Sequence, residues 1–505
     1  MGPWLDDLIA DHPADNVALI DQGGATCTYG ALRERVAQAA SALQTHGVRP
    51  GDRVMLVSEN CTSYAIAVFA VCQLKAWICP VNARQSDTEL RAIQSHSGAR
   101  CLLFTASASD QAAAHATTFD AAPLPGLPAG LTITKCATTT PEPVDSQPDQ
   151  QVAALLYTTG TTSAPKGVML THSNVCWNAR TSANLRHLTP ADLVLAVLPG
   201  SHVFGFASTF LAALHAGAQL QFIARFTPAG VLDAFAAGAT ALPAVPQMYA
   251  VILAHLHSTG RPFFAPNLRY TSAGGAPLDP DLKAQTEALT GLPLHNGYGL
   301  TETSPGVAAT RIETPSADTS VGPPLPGVKV TIDQPDADGA GELIIQSPGV
   351  MKGYYKNPNA SAAALPQPGT LRSGDLARFD ANGALHLVGR LKELIIRSGF
   401  NVYPPEVEAM LTRHDDVLQA AVIGRKSGAN EEILAFVLTN GGVTETGLKS
   451  WLTGRLVSYK HPQHILLVDS YPTAATGKIL KHKLITHFAD LLEARDQTLQ
   501  KDPLV

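Results

Sequence analysis

At 505 residues, with 45% hydrophobic and only 15% charged side chains, the chain is too long for one hydrophobic core and too apolar to stay disordered, so at least two domains are expected. Lys and Arg number 36 against 42 Asp and Glu, a net charge of −6, which leaves no basic footprint for nucleic acid or anionic lipid. Small molecules or other proteins are the expected partners.

The opening residues have neither a basic n-region nor an apolar h-region, so no secretory signal is expected, and Asp6 stands where a myristoylation signal after Gly2 needs Ser or Thr. Tyr29 to Thr45 places Leu32, Val36, Ala39, Ala40 and Leu43 at helical spacing and ends at Gly47, before the strand-like Arg53 to Ser58. Asn60 to Leu74 reads as a helix and Trp77 to Val81 as a strand. The most membrane-like stretch, Tyr64 to Val81, thus becomes a buried helix and a strand, since Gln73 and Lys75 at its middle are too polar for a spanning segment. Asp87 to Ser97 reads as helix and Ala99 to Phe104 as strand. This alternation predicts layered α/β structure with a largely parallel sheet. Ala121 to Gln151, rich in Pro, Thr and Asp, reads as a surface excursion. Apolar runs resume at Ala153 to Tyr157, Leu193 to Leu198 and Leu220 to Ile223, and Gly383 to Gly389 form a short strand and turn. Val407 to Leu411 and Leu448 to Leu456 then read as helices, and Val417 to Ile423 and Ile433 to Leu438 as strands. Together they make an α+β module of about 110 residues, a normal domain size, with the boundary placed at Lys392: residues 1–391 and 392–505. The seven cysteines, Cys27, Cys61, Cys72, Cys79, Cys101, Cys136 and Cys176, are odd in number and contain no C-x-x-C pair. They imply neither a disulfide framework nor a zinc knuckle, and a reducing, cytoplasmic setting is the default.

Three segments carry chemistry. Leu155-Leu-Tyr157-Thr158-Thr159-Gly160-Thr161-Thr162-Ser163-Ala-Pro165-Lys166-Gly167 follows a strand with glycines, threonine hydroxyls and a lysine, a set that suits polyphosphate. It is not a Walker loop, because Pro165 and Gly167 flank the lysine; an ordinary turn is the competing reading. Asn296-Gly297-Tyr298-Gly299-Leu300-Thr301-Glu302-Thr303, preceded by Ser272-Ala273-Gly274-Gly275-Ala276-Pro277, brings an aromatic, hydroxyls and a carboxylate that suit a purine, a phosphate and Mg²⁺. Two βα turns with a core tyrosine fit as well. In Thr370-Leu-Arg372-Ser373-Gly374-Asp375, the aspartate suits ribose hydroxyls, although Gly-Asp is also a common turn dipeptide.

In order and spacing, these segments resemble the adenylate-forming superfamily of AMP-forming acyl-CoA and aryl-CoA synthetases, firefly luciferase and peptide-synthetase adenylation domains. The likeness runs from about Tyr29 to about Leu484. It rests on YTTGTTSAPKG, GYGLTE, Gly341-Glu342-Leu343 with Gly353-Tyr354, Ser373-Gly374-Asp375, Gly389-Arg390-Leu391-Lys392-Glu393-Leu394-Ile395, and Thr473-Ala-Ala-Thr476-Gly477-Lys478. Each is weak alone; the ordered set is close to diagnostic. The resemblance implies a large N-terminal layered α/β domain, of parallel-sheet subdomains plus a small β-barrel, and a small mobile C-terminal α+β domain.

It also implies the chemistry. A carboxylate attacks the α-phosphate of Mg·ATP, pyrophosphate leaves, and the acyl group passes to a thiol, that of CoA. Thr158, Thr159, Gly160, Thr161, Thr162 and Lys166 would cradle the β- and γ-phosphates, Thr301 the α-phosphate, and Glu302 the metal. Tyr298 would stack on adenine beside Gly274, Gly275 and Ala276, while Asp375 and Arg390 hold the ribose. Lys478 would bridge the carboxylate and the developing phosphorane charge. Lys392 would be the hinge of a rotation that withdraws Lys478 and brings Arg397 to Asn401 to the site, Gly399 letting a pantetheine arm pass. His202, Phe204, Ser208, Gly299, Pro305 and Gly306 would line the acid pocket; a lone histidine such as His202 is also a common core residue. With no Lys, Arg or Asp in that set, an apolar acid, aryl or medium-to-long acyl, is expected, Gly306 leaving volume for it.

Thr159 and Ser163 replace the family's usual Ser and Gly. At Tyr459-Lys460-His461-Pro462-Gln463, where several relatives place basic residues for the CoA nucleotide, His461 and Gln463 add little charge, leaving Lys460, Arg425 and Lys426. The phosphopantetheine of a free-standing carrier protein is therefore an alternative acceptor. A luciferase-like oxidase and a nucleotide-binding regulatory protein are further readings, the last disfavoured by Lys478, Glu302 and Asp375. A monomer or homodimer without a transmembrane segment is expected.

Overall fold

Two eight-stranded sheets dominate the computed structural model, which describes residues 3–158, 166–397, 400–427, 430–473 and 479–493. The first runs in the order Gly353–Tyr354, Lys166–Thr171, Val152–Thr158, Trp77–Asn82, Arg53–Ser58, Cys101–Thr105, Leu131–Ile133, Ala122–Pro123. Its four central strands are parallel and the strands flanking them antiparallel. The second runs Gly306–Ala309, Leu294–Gly299, Tyr270–Gly274, Ala241–Ala244, Leu193–Ala196, Gln219–Phe222, Val17–Ile20, Thr26–Thr28. All but its two outermost strands are parallel. Buried central strands of such sheets are continuously apolar rather than alternating, and Arg53–Ser58 is buried at every position.

Local signals explain the helices between strands. Tyr29–His46 starts where the Thr28 hydroxyl accepts from Ala31 N and ends at Gly47, whose φ of 107° is left-handed. Asp87–Ser97 carries a Ser86/Glu89 capping box and stops at left-handed Gly98. The membrane-like stretch resolves into helix Thr62–Gln73 and strand Trp77–Asn82. Among the described residues no helix is long and apolar enough to cross a membrane.

The segment read as a surface excursion is more ordered than expected. It adds the strands Ala122–Pro123 and Leu131–Ile133 to the first sheet, and its later part is pinned by Arg49 Nη2 on Thr139 O at 2.7 Å and Arg53 Nη1 on Thr140 O at 3.0 Å. Lack of periodicity hid two short strands, one pairing with Cys101–Thr105 outside the segment and the other with its neighbour inside it.

The fold is mixed α/β, with a large N-terminal sheet domain and a smaller C-terminal one. The chain divides into two units. One comprises the residues up to Thr331, Ile344–Ser373 and Phe379–His386; the other comprises Ile332–Leu343, Gly374–Arg378 and the chain from Leu387. A four-stranded sheet of Lys329–Asp333, Gly341–Gln346, Thr370–Phe379 and Leu385–Arg390, paired in that order, stands where the small barrel was expected. In the second unit Val417–Ser427 pairs antiparallel with Asn430–Thr439, which pairs parallel with His464–Val468. Helices Pro404–Thr412 and Glu445–Leu452 close its core through Val407, Leu411, Leu448 and Leu452.

Candidate active site

In open parallel sheets, ligands bind beyond the carboxyl ends of the strands. In the second sheet those ends carry the expected adenine-binding segments side by side, Gly274 in register with Gly297. Gly275 and Ala276 follow, exposed, and Tyr298 is half-buried one residue past Gly297. A Cβ on Gly274 would stand 3.1 Å from the Phe204 ring and 3.3 Å from the Gly297 carbonyl oxygen, so glycine lets the Phe204 ring close against the strand end that borders the crevice. Asn60 and Tyr64 hold the loop above Leu193–Ala196: Asn60 Nδ2 donates to Ala196 O at 2.9 Å and Leu198 O at 2.8 Å, Gly200 N donates back to Asn60 Oδ1 at 2.8 Å, and Tyr64 O–H donates to Gly200 O at 2.7 Å.

Beside this crevice three side chains from distant strands and turns converge. Lys166 begins the strand that pairs Thr158 with Lys166, and the neighbouring Gly353–Tyr354 sets Tyr354 opposite Val168. Glu302 sits in the short 3₁₀ turn Thr301–Thr303. The Tyr354 O–H donates to Glu302 Oε1 at 2.7 Å, and Lys166 Nζ lies 5.2 Å from the centre of the Tyr354 ring, a cation–π distance. Burial first, then the Glu302 carboxylate, pushes the Tyr354 phenol well above its usual range, so it stays a donor. The turn is fixed from below: Met351 N donates to Glu302 O at 2.9 Å, Leu300 N to Pro305 O at 3.1 Å, and the Ser304 hydroxyl to Gly349 O at 2.8 Å. Ser304 itself is left-handed, φ 69°, before a cis peptide to Pro305.

The expected acid-pocket residues gather along Phe204–Leu211, which winds as a π-helix, a geometry frequent at functional sites. His202 is exposed, and its Nδ1 accepts from Phe204 N at 3.3 Å, so the neutral ring carries its proton on Nε2. Ser208 is buried and meets a polar stripe at helical spacing on His172–Leu185 and the residue just past it. Asn178 Nδ2 donates to Ser208 Oγ at 3.0 Å, the Ser182 hydroxyl donates to Ser208 Oγ at 3.2 Å, and Arg186 donates to the Ser208 carbonyl. Burial pulls the Arg186 guanidinium below its ordinary value, against the pull of Tyr270 and Tyr249. Asn178 Oδ1 accepts from Gly306 N at 3.0 Å.

Here one expectation is corrected. A Cβ on Gly306 would come within 2.6 Å of Leu325 Cδ1 and 2.8 Å of Asn178 Oδ1. Those groups therefore fill the space the glycine was expected to leave for the acid. Gly299 is equally constrained, since a Cβ there would collide with the Pro305 carbonyl.

In the second unit Asp375, buried, pairs with Arg390 Nε at 3.1 Å, and Gly374 N donates to Glu342 Oε1 at 3.2 Å. Lys392 is exposed in the 3₁₀ turn Leu391–Glu393. Two of the three basic residues considered for CoA are engaged: Lys460 Nζ contacts Glu406 at 2.6 and 2.7 Å, and Arg425 Nη2 contacts Glu432 Oε2 at 2.7 Å. Arg397 donates to the carbonyls of Tyr459 at 3.0 Å and His461 at 2.7 Å. Thr159, Gly160, Thr161, Thr162, Gly399 and Lys478 lie outside the described residues.

Comparison with known proteins decides the family. The model of the AMP-binding enzyme family matches residues 5–355, and that of the AMP-binding enzyme C-terminal domain matches residues 406–478. The chain belongs to the AMP-binding enzyme family. This is the adenylate-forming group that its motifs resemble. Among relatives in the family, feruloyl-CoA synthase of Amycolatopsis sp is 35% identical over 93% of this chain and 95% of its own length. Oxalate–CoA ligase of Arabidopsis thaliana is 32% identical over 96% and 98%. The crystal structure of ATP-bound MatB from Rhodopseudomonas palustris aligns with a TM-score of 0.83 and 27% identity, covering 97% of this chain and all of that one, 100%.

The sequence reading passed over Tyr354, Asn178 and Arg186. Tyr354 lay in a quoted Gly-Tyr dipeptide without a role. Asn178, Ser182 and Arg186 fall four residues apart, a helical stripe that a search for apolar periodicity does not register.

Proposed function

We propose that this family member is an ATP-dependent carboxylic acid:CoA ligase. The acid's carboxylate oxygen attacks the α-phosphorus of ATP, the bond to the β-phosphate oxygen breaks, and pyrophosphate leaves. The CoA sulfur then attacks the acyl carbon, releasing AMP and passing the thiol proton to solvent. The observation that carries this reading is the convergence of Lys166, Tyr354 and Glu302 beside the paired strand ends at Gly274 and Gly297. A cation and a carboxylate beside glycine-bearing strand ends suit the attack of an anion on a polyanion, where placed charge lowers the barrier. ATP-bound MatB and the relatives named as CoA ligases support the two co-substrates.

Residue roles follow from the motif match. Lys166 and Thr158, with Thr159, Gly160, Thr161 and Thr162, face the β- and γ-phosphates, Thr301 the α-phosphate, and Tyr298 the adenine. Asp375 and Arg390 take the ribose, and Lys478 the reacting carboxylate. Glu302 fits Mg²⁺: it is a hard oxygen donor whose Oε1 is already oriented by the Tyr354 O–H. Bound there, the ion would neutralise phosphate charge. For the acid, we favour an apolar aryl or medium-to-long acyl chain. Asn178 and Ser182 engage the Ser208 hydroxyl and the Gly306 amide, Phe204 and Pro305 are the apolar members of the expected pocket set, and the feruloyl relative agrees with an aryl acid. One observation favours a second acceptor, a carrier-protein phosphopantetheine: Lys460 and Arg425 are held in ion pairs with Glu406 and Glu432.

Pyrophosphate release measured across a panel of aryl, fatty and short dicarboxylic acids, with CoA and without, tests the reading. Release with at least one apolar acid, and thioester only when CoA is added, is the expected result. Absence of release with every acid overturns the ligase; release without any CoA thioester moves the acceptor to a carrier protein.

A further inference from the structure

The cysteines fall into two chemical classes. Cys27, Cys61, Cys72, Cys79 and Cys176 are buried, and burial pushes each thiol up, which makes them poor nucleophiles. Cys101 and Cys136 differ because they face each other.

Cys101 opens the strand Cys101–Thr105, and Leu131–Ile133 pairs antiparallel with it, Leu103 opposite Ile133. Beyond that strand Thr134 N donates to Leu102 O at 3.0 Å and Ala137 N donates to Arg100 O at 2.7 Å. Between these two bonds one residue, Cys101, stands opposite two, Lys135 and Cys136. That is a β-bulge, and it brings Cys136 alongside Cys101. The two thiols share a hydrogen bond. Opposed residues on antiparallel strands have Cα atoms about 4.5–5.5 Å apart, inside the span of about 4.4–6.8 Å that a disulfide bridges.

The pair is asymmetric. Cys101 is 1% exposed, whereas Cys136 is partly open to solvent. Arg100 and His46 lie beside Cys136. Arg100 Nε donates to Gly47 O at 3.1 Å, a Cβ on Gly47 would lie 3.8 Å from Cys136 Sγ and 3.4 Å from Arg100 Nη2, and His46 Nε2 meets Thr134 O at 2.9 Å. The hydrogen bond from Cys101, then His46 and Arg100, pulls the Cys136 thiol down to about 6, against burial and Asp52, while the Cys101 thiol is driven up. Cys136 is thus the sulfur biased toward the thiolate and Cys101 the one biased toward the thiol.

We propose that Cys136 and Cys101 form a hydroperoxide-reactive modification site, Cys136 as the attacking thiolate and Cys101 as the resolving thiol. The Cys136 sulfur attacks the peroxide oxygen, the O–O bond breaks, and the leaving alkoxide or hydroxide takes a proton, giving Cys136 sulfenic acid. Cys101 then loses its proton and attacks the Cys136 sulfur. The S–O bond breaks, and hydroxide leaves as water with that proton. Two thiols and one hydroperoxide become one disulfide, one alcohol or water, and one water; the two sulfurs supply both electrons. The reverse needs a dithiol reductant.

The test uses the reduced full chain, treated with hydrogen peroxide, quenched with a maleimide, and read by intact mass and peptide mapping. The expected product has lost two hydrogens, carries two fewer maleimides, and links the Cys101 and Cys136 peptides. Cys136→Ser is expected to slow total thiol oxidation about tenfold. Cys101→Ser and Cys101→Ala are expected to stop at a Cys136 sulfenic acid captured by dimedone, and the alanine variant guards against a burial defect from the hydroxyl. A linkage to any other cysteine, oxidation of Cys136 no faster than of the five buried thiols, or an unchanged product in the Cys101 variants overturns the proposal.

Discussion

If Glu302 holds Mg²⁺ as proposed, one hydrogen bond sets that metal's affinity. Glu302 Oε1 takes the Tyr354 hydroxyl at 2.7 Å, and a partner of this kind orients a ligating carboxylate and commonly changes metal affinity about 10–100-fold. Tyr354→Phe keeps the ring under Lys166 and removes only the hydroxyl. The Mg²⁺ concentration giving half-maximal pyrophosphate release is therefore expected to rise about tenfold, with thermal stability nearly unchanged. An unaltered Mg²⁺ titration would separate Tyr354 from the metal and leave it a packing residue. Neither this pairing nor that of Asn178 with Gly306 was legible in the sequence. The partners stand 52 and 128 residues apart, and only the sheet register of Gly353–Tyr354 against Lys166–Thr171 brings the tyrosine to the site. The glycines were legible as motif letters, but what their missing side chains make room for was not. At Gly274 that is the Phe204 ring; at Gly306 it is Leu325 and Asn178.

Elements were readable to the extent that they carried their own punctuation. Tyr29–His46 and Asp87–Ser97 had a cap residue, an apolar stripe and a terminal glycine. His172–Leu185 did not stand out, because its buried residues include Asn174, Asn178, Thr181 and Ser182, polar side chains that answer to tertiary partners and mask the 3.6-residue period. Phe204–Leu211 is buried along nearly its whole length, and a run of that kind shows no periodicity. Elements also depend on single stitches. Asn60, at the carboxyl end of Arg53–Ser58, makes three buried hydrogen bonds to the loop that carries His202. Asn60→Ala would strand the carbonyls of Ala196 and Leu198 and the Gly200 amide. At about 1 kcal/mol for each lost bond, and more where a group stays buried and unpaired, a loss of about 3 kcal/mol is expected. Thermal unfolding should read this as a drop of about 4 °C in the transition of the larger unit, together with a raised KM for the acid. A change of about 1 °C or less would mean that the loop finds other partners.

At the scale of the whole molecule, the low charge and the proposed chemistry meet in one problem. Two half-reactions need different groups at one site: a cation to bridge carboxylate and phosphate while pyrophosphate leaves, and then room for a thiol to reach the acyl carbon. A single static arrangement serves one of these at the expense of the other, and the motif order places Lys478 and the proposed hinge Lys392 in the same C-terminal stretch. Lys392 lies exposed in the turn Leu391–Glu393, where backbone rotation displaces no buried side chain. Opposite losses are therefore expected from two variants. Lys478→Ala should reduce adenylate formation on the order of 10²–10³-fold, as removal of a transition-state charge partner does, while leaving thioester formation from a supplied acyl-adenylate near its original rate. Lys392→Pro, by locking φ near −65°, should spare pyrophosphate release in the first turnover and slow thioester formation on the order of tenfold, the pattern of a blocked conformational step. Single-turnover assays of each half-reaction read both. If either variant loses the two activities in equal measure, the two steps share one arrangement of the chain, and Lys392 is a surface lysine rather than a hinge.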